Sequence, residues 1–172
     1  MHNCDPMKVT LLMAITLDGK IAKDAEHFPD WTEKADKKLF VDMTKQAGVL
    51  VMGKNTYDTI GRPLPGRLNV IMSRKEEEWV RGEELWVTGL QPKELLGELE
   101  KMGFQEVILA GGTTINTLFA KEELIDEMIV TTSPFVFGKG LGLFDESIDM
   151  DLELLGVEQI GERTIKAQYK VL

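Results

Sequence analysis

GVLVMGKNTYDTIGRPLPGRLNVIMS, residues 48–73, is the stretch on which the fold turns. Residues 48–52 form an unbroken apolar run, and residues 67–73 carry a second of similar length. Gly53 ends the first run and leaves room for a short helix around residues 55–60. Arg62-Pro63-Leu64-Pro65-Gly66 then forces a stiff, extended loop, because each proline fixes its own φ and keeps the preceding residue out of the helical region. Strand, helix and strand in that order make a parallel crossover. Continuous apolar runs, as opposed to alternating ones, mark strands covered on both faces.

The same pattern extends outward. Lys8–Thr16 (KVTLLMAIT) reads as a buried central strand. Residues 17–31, with Asp18-Gly19 and Pro29, form a link too long to be mere connection, and links of this length are often functional. Thr32 suits an N-cap, with a helix running to about Gln46. Downstream, residues 84–87 predict a fourth strand. Pro92 opens and Gly103 closes a further helix, residues 106–110 form another strand, and Thr113 or Thr114 can cap the next helix. Residues 126–134 and 136–144 hold more strand material, and Leu152–Ile160 with Thr164–Val171 predict a closing antiparallel hairpin. The expected class is α/β: one domain over residues 1–172, a mostly parallel central sheet, an antiparallel C-terminal hairpin and flanking helices.

Composition narrows the function. A formal net charge of −9 argues against nucleic acid as a partner. The apolar runs are far shorter than the roughly 20 residues of a membrane span, and the polar start lacks a signal-peptide core, so a cytoplasmic protein is expected. A single cysteine, Cys4, forms no internal disulfide, and with His2 and His27 it falls short of any zinc pattern, so no metal is expected. The chain is expected as a monomer or homodimer acting on a small molecule.

On a helix advancing roughly 100° per residue, Leu39, Phe40, Met43 and Ala47 all fall within about 60° of Asp36. A carboxylate at the centre of an apolar stripe is costly unless it is hydrogen-bonded or paired. Asp36 is therefore either a ligand-binding or acid-catalytic group, or a partner of the helix N-terminus. Two strand-to-helix turns, Gly53-Lys54-Asn55-Thr56 and Gly111-Gly112-Thr113-Thr114, offer close backbone approach and free N–H groups to phosphate. Each could equally be a plain cap, and neither fits a dinucleotide fingerprint or a P-loop. Arg74, after Ser73, could add a guanidinium at the same sheet end or be a solvated charge.

Residues 51–67, read with the Gly-basic-x-Thr turn and Ile60-Gly61-Arg62-Pro63-Leu64-Pro65-Gly66-Arg67, closely resemble dihydrofolate reductase. Other pieces follow in that family's order. Residues 12–21 resemble the first strand and the start of a mobile loop. Trp31, Asp36 and Phe40 keep the spacing of the family's tryptophan, catalytic acid and substrate-packing phenylalanine. Ala110-Gly111-Gly112 resembles a segment with a cis Gly-Gly peptide, and Thr131 a threonine that supports the acid. There are departures. Residues 21–31 are about two residues longer than the usual bacterial loop. Residues 17–22, and 126–144 with Pro134, Gly138 and Gly140, resemble instead the pyrimidine reductases of riboflavin synthesis, although their Asp-Asp-Pro and Leu-Thr pattern is missing.

The resemblance implies NADPH-dependent reduction of 7,8-dihydrofolate to tetrahydrofolate. The alternatives are reduction of 5-amino-6-(5-phosphoribosylamino)uracil and non-catalytic NADPH binding. It implies Asp36 as the catalytic acid. Leu12, Phe40, Ile60, Leu64, Arg67 and Thr131 would form the substrate site, Arg67 pairing with a distal carboxylate. Around the cofactor it implies Ala14 and Ile21 at the carboxamide and Lys54, Asn55, Thr56 and Thr113 at the phosphates, with Gly53, Ala110, Gly111, Gly112 and Thr114 also binding the cofactor. Ser73 and Arg74 would take the 2′-phosphate.

Overall fold

The computed structural model describes residues 6–27 and 29–172; His2 and Cys4 lie outside them. The apolar runs become β1 (Lys8–Thr16), β2 (Val49–Gly53), β3 (Leu68–Met72), β4 (Val80–Arg81), β5 (Leu85–Thr88), β6 (Glu106–Leu109) and β7 (Glu127–Ser133). A hairpin of β8 (Leu152–Ile160) and β9 (Thr164–Val171) closes the chain. Among the described residues four α-helices intervene: α1 (Lys34–Ala47), α2 (Lys54–Ile60), α3 (Pro92–Lys101) and α4 (Thr113–Lys121). The strands form one sheet in the order β4-β5-β3-β2-β6-β1-β7-β9-β8. Its centre is parallel, and the antiparallel pairs are β4 with β5, β7 with β9, and β9 with β8. This is the α/β class expected from the alternation of strand and helix patterns.

Successive residues of a strand face opposite sides, so an unbroken apolar run needs cover on both. In β2, Val49 and Val51 pack with Leu95 and Leu99 of α3 and Phe119 of α4, while Leu50 and Met52 pack with Leu39, Phe40 and Met43 of α1 and Tyr57 and Ile60 of α2. Helices α1 and α2 thus cover one face of the sheet, and α3 and α4 the other.

Local details depart from the sequence reading in four places. The N-cap of α1 is Glu33, not Thr32. Its carboxylate leaves the helix end to accept bonds from the Arg163 N–H and the Thr164 hydroxyl in the β8–β9 turn, a contact invisible to local spacing. The N-cap of α4 is Gly112, with Thr113 already inside the helix. β4 is a two-residue strand with too short a pattern to read. Residues 136–144 form no strand; a single antiparallel bridge joins Ala22 to Leu141. Helix α3 does match its signals: Pro92 opens it inside a capping box of Gln91 and Glu94, and Gly103, at φ +92°, follows its C-cap Met102. Among the described residues no helix is long and apolar enough to cross a membrane.

Candidate active site

β6 sends its outgoing helix α4 to one face of the sheet, while its neighbours β1 and β2 send α1 and α2 to the other. Chain paths diverge in this way at the carboxyl ends of adjacent parallel strands, and crevices that bind ligands open there. The β1–β6 register ends at Leu11 with Leu109, whereas β1 stays paired with β7 as far as Thr16 with Ser133. Beyond Leu11, β1 is therefore paired on one side only, above Ala110 and Gly111.

Asp36 sits in the first turn of α1, half-buried, and accepts a hydrogen bond from the Thr131 hydroxyl at 2.5 Å. Thr131 is fully buried in β7, so this donor is fixed by the sheet. The carboxylate's other oxygen accepts no hydrogen bond among the described residues. Leu12, Phe40, Ile60 and Leu64 belong to a single apolar cluster on this face. Two further buried polar atoms lack a hydrogen-bond partner among the described residues: Trp31 Nε1, and the Ser133 hydroxyl two residues beyond Thr131 on the same face of β7. The Trp31 ring meets Phe135 and Phe137 edge-on, at 6.3 and 5.4 Å between centroids.

Arg67 is 5% exposed; its Nη1 donates to the Pro65 carbonyl at 2.9 Å, and its Nε has no partner among the described residues. Burial pulls this guanidinium down from its ordinary pKa, and the group remains a cation. An unpartnered buried donor on a cation is a ready contact for an anion. The loop bearing Arg67 is clamped by Asn69, a fully buried residue of β3. Its Oδ1 accepts from Leu64 N at 2.9 Å, and its Nδ2 donates to the carbonyls of Leu64, Arg67 and Glu84.

The two glycine turns meet each other. Gly53 N donates to Gly111 O and Ala110 N to Val51 O, each at 2.8 Å, and the Gly111–Gly112 peptide is cis, as the resemblance implies. A Cβ on Gly53 would lie 2.9 Å from Ile115 Cγ1, and one on Gly112 would lie 3.3 Å from Thr56 Oγ1. The Thr113 hydroxyl is buried without a partner beside them. Close backbone, an orphaned hydroxyl and the Lys54 ammonium together suit a diphosphate. Lys54 pairs with Asp58 at 2.5 Å, which raises its pKa, and lies 3.9 Å from Glu78.

Other candidate residues are less available. Asn55 is exposed on α2, and its carbonyl accepts from Thr59. Thr114 points away from the turns and donates to Asp145 at 2.7 Å. Ala14 lies on the half-paired part of β1, whereas the N–H of Ile21, the other residue expected at the carboxamide, is held by Leu141 O at 2.8 Å. Ser73 donates its hydroxyl to Glu78, and Arg74 is exposed.

Three contributors escape the sequence reading. Asn69 signals itself only as a polar interruption in LNVIM, and Glu78 is hidden in a run of glutamates. Asp18 ties the long link 17–31 to the loop after β7: it accepts from the Thr16 hydroxyl at 2.5 Å and from the N–H groups of Phe137 and Gly138. These bonds, the Thr16 hydroxyl first, hold its pKa at about 2.

A family model described as the RibD C-terminal domain matches residues 7–166. Among solved structures, a diaminohydroxyphosphoribosylaminopyrimidine deaminase/5-amino-6-(5-phosphoribosylamino)uracil reductase from Thermotoga maritima superposes with a TM-score of 0.79 at 21% identity. That match covers 97% of this chain and 57% of the other, so the chain spans a little over half of that protein. A dihydrofolate reductase from Enterococcus faecalis, complexed with NADP(H), superposes with a TM-score of 0.74 at 20% identity, covering 95% and 96% of the two chains. At these identities the likeness is one of fold. In sequence, dihydrofolate reductase type 3 of Salmonella typhimurium is 38% identical over 79 residues, 46% of this chain and 47% of that protein.

Proposed function

From the premise that this chain belongs to the RibD C-terminal domain family, we propose that it is an NADPH-dependent reductase whose substrate is a phosphoribosylamino-uracil. The observation that carries the reductase reading is the Asp36–Thr131 pair, a carboxylate held by a buried hydroxyl and carried on α1, whose Phe40 joins Leu12, Ile60 and Leu64 in one apolar cluster. The family match over nearly the whole chain supports the pyrimidine as substrate. The folate reading becomes the second one; its support is the Ile60–Arg67 segment and the local identity to a dihydrofolate reductase.

Gly53, Thr56, Gly112 and Thr113, with Lys54, would hold the cofactor's diphosphate, and the cofactor when bound supplies a hydride. Reduction of a carbon–nitrogen double bond also needs a proton at nitrogen. Asp36 accepts N–H donors from the heterocycle and so fixes its orientation. It also favours the protonated form of the adjacent nitrogen, directly or through a water. Thr131 holds the carboxylate in one rotamer. Phe40, Ile60 and Leu64 keep the ring against the cofactor and exclude water, so alignment contributes alongside acid catalysis. Arg67 takes the remote anion, a ribosyl phosphate in the first reading or a glutamate carboxylate in the second. Asp18 ties the start of the segment after β1 to the loop after β7, and closure of that segment over the bound substrate would exclude water.

The test is NADPH oxidation, followed by absorbance, with the uracil ribosyl phosphate and separately with dihydrofolate. Turnover of the uracil compound with dihydrofolate ignored is expected, and the reverse establishes the folate reading. Turnover of neither refutes the reductase. With the substrate that is turned over, Asp36→Asn should retain NADPH binding and lose ~10²–10⁴ in rate.

A further inference from the structure

At the carboxyl end of β3, one strand outward from the Gly53 turn, the chain has built an anion site and filled it with its own side chain. The Ser73 hydroxyl donates to Glu78 Oε2 at 2.7 Å and accepts from Lys75 N at 3.2 Å. The other carboxylate oxygen, Oε1, lies 3.7 Å from Lys75 Nζ and 3.9 Å from Lys54 Nζ. Trp79 fixes the turn by donating its Nε1 to Ser73 O at 3.0 Å. One hydroxyl and two ammonium groups thus converge on one carboxylate, a donor set that would serve a phosphate equally well. Ser73 is 8% exposed, whereas the Glu78 side chain is 26% exposed, so the donor is buried and its present acceptor is displaceable from solvent.

Lys54 links this cradle to the diphosphate turns, because it is also the first residue of α2 after Gly53. Ser73, which the resemblance puts at the cofactor's 2′-phosphate, follows the strand next to the one that ends at the Gly53 turn, so a dinucleotide held at the glycine turns would present its adenosine ribose here. In NADPH that position carries a phosphate; in NADH it carries a neutral hydroxyl. We propose that Glu78 is a specificity-determining residue, an internal competitor that must leave Ser73 before the 2′-phosphate can bind and so narrows the preference for NADPH over NADH. The inference rests on the cofactor reading above.

Glu78→Gln keeps an acceptor for Ser73 and removes the charge. Dissociation constants for NADPH and NADH, measured by titration calorimetry on the full chain, should move differently. NADPH should bind about tenfold more tightly to the variant, as expected for removing one like-charge contact, and NADH should stay within about twofold. Glu78→Asp, which draws the carboxylate back from Ser73, should move NADPH in the same direction and guards against a misfolded first variant; thermal unfolding checks both. Unchanged NADPH affinity in folded variants overturns the inference and makes Glu78 a structural brace of the turn. Equal tightening of both cofactors also overturns it, since that is a general charge effect. If neither dinucleotide binds wild type or variants, the cofactor reading itself falls, and this inference with it.

Discussion

Replacing Asn69 by leucine tests whether the loop that presents Arg67 is held by the sheet. The side chain is fully buried and makes four hydrogen bonds, but they are not equivalent. Glu84 O also accepts from Asn69 N at 2.8 Å, so it stays satisfied in the variant. Leu64 is half-buried, and its N–H and carbonyl can turn to water, each bond contributing about 0.5–1.5 kcal/mol. Arg67 O is bonded within the interior; losing its donor leaves a buried acceptor unpaired, at a cost of about 1–3 kcal/mol. Leucine has similar bulk and recovers some apolar burial, so the net loss should be about 3 kcal/mol, within the ~5–15 kcal/mol of a typical domain. With a urea m-value of about 2 kcal/mol/M, the unfolding midpoint should fall by about 1.5 M at unchanged m. The loosened loop should also weaken substrate affinity more than it slows the chemical step. A midpoint within about 0.3 M of wild type, with substrate affinity intact, would refute the clamp.

Three other perturbations read separate parts of the molecule. Arg67→Lys keeps the charge but loses the buried Nε donor and the fork, so KM for the anionic substrate should rise at least about tenfold with kcat changed less; equal kinetics would remove Arg67 from the site. For Asp18, the folded pKa of about 2 lies below the ordinary aspartate value of 3.8, so its stabilisation is complete above the unfolded value and disappears as pH falls through the folded one. The stability gap between wild type and Asp18→Asn, measured by chemical denaturation, should thus be flat near neutrality and close on acidification between those values; a gap that persists at the acid end contradicts the assignment. Gly53→Ala puts a methyl 2.9 Å from Ile115 Cγ1, in the middle of a β-branched side chain, so it should weaken NADPH binding in calorimetry with α2 displaced; full affinity would show that the turn does not hold the diphosphate.

The bounds of β1, β8 and β9 were legible because β-rich runs there end at turn residues. Helix starts were less so. Thr32 is the better cap by composition, yet the helix begins where Glu33 is anchored to Arg163 and Thr164, across the fold. Asp36 was visible because one carboxylate interrupts an apolar stripe, a local signal. Its partner Thr131 is 95 residues away on another strand, and only the family resemblance joined the two. Strand order was likewise beyond local pattern: nothing near β6 says that it lies between β1 and β2. Glu78 could not be read at all, since Glu76-Glu77-Glu78 has the composition of a solvated face and only the fold turns its last member onto Ser73.

Both substrate readings make the same demand on most of the site. In both, the glycine turns would hold the cofactor's diphosphate, and Asp36 would serve the bond that accepts hydride; neither requirement distinguishes a pyrimidine from a pterin. They diverge at the remote anion, and hence at residues 61–67. This segment is the connection between α2 and β3, outside the strands themselves, and function resides in such sites grafted on a fold. Yet a loop that aims a guanidinium must be rigid. Two prolines supply part of that rigidity by limiting φ. The rest comes from Asn69, which lies outside the loop on β3 and grips it at Leu64 and Arg67. Arg67, the proposed anion-binding group, therefore takes its position from the buried sheet.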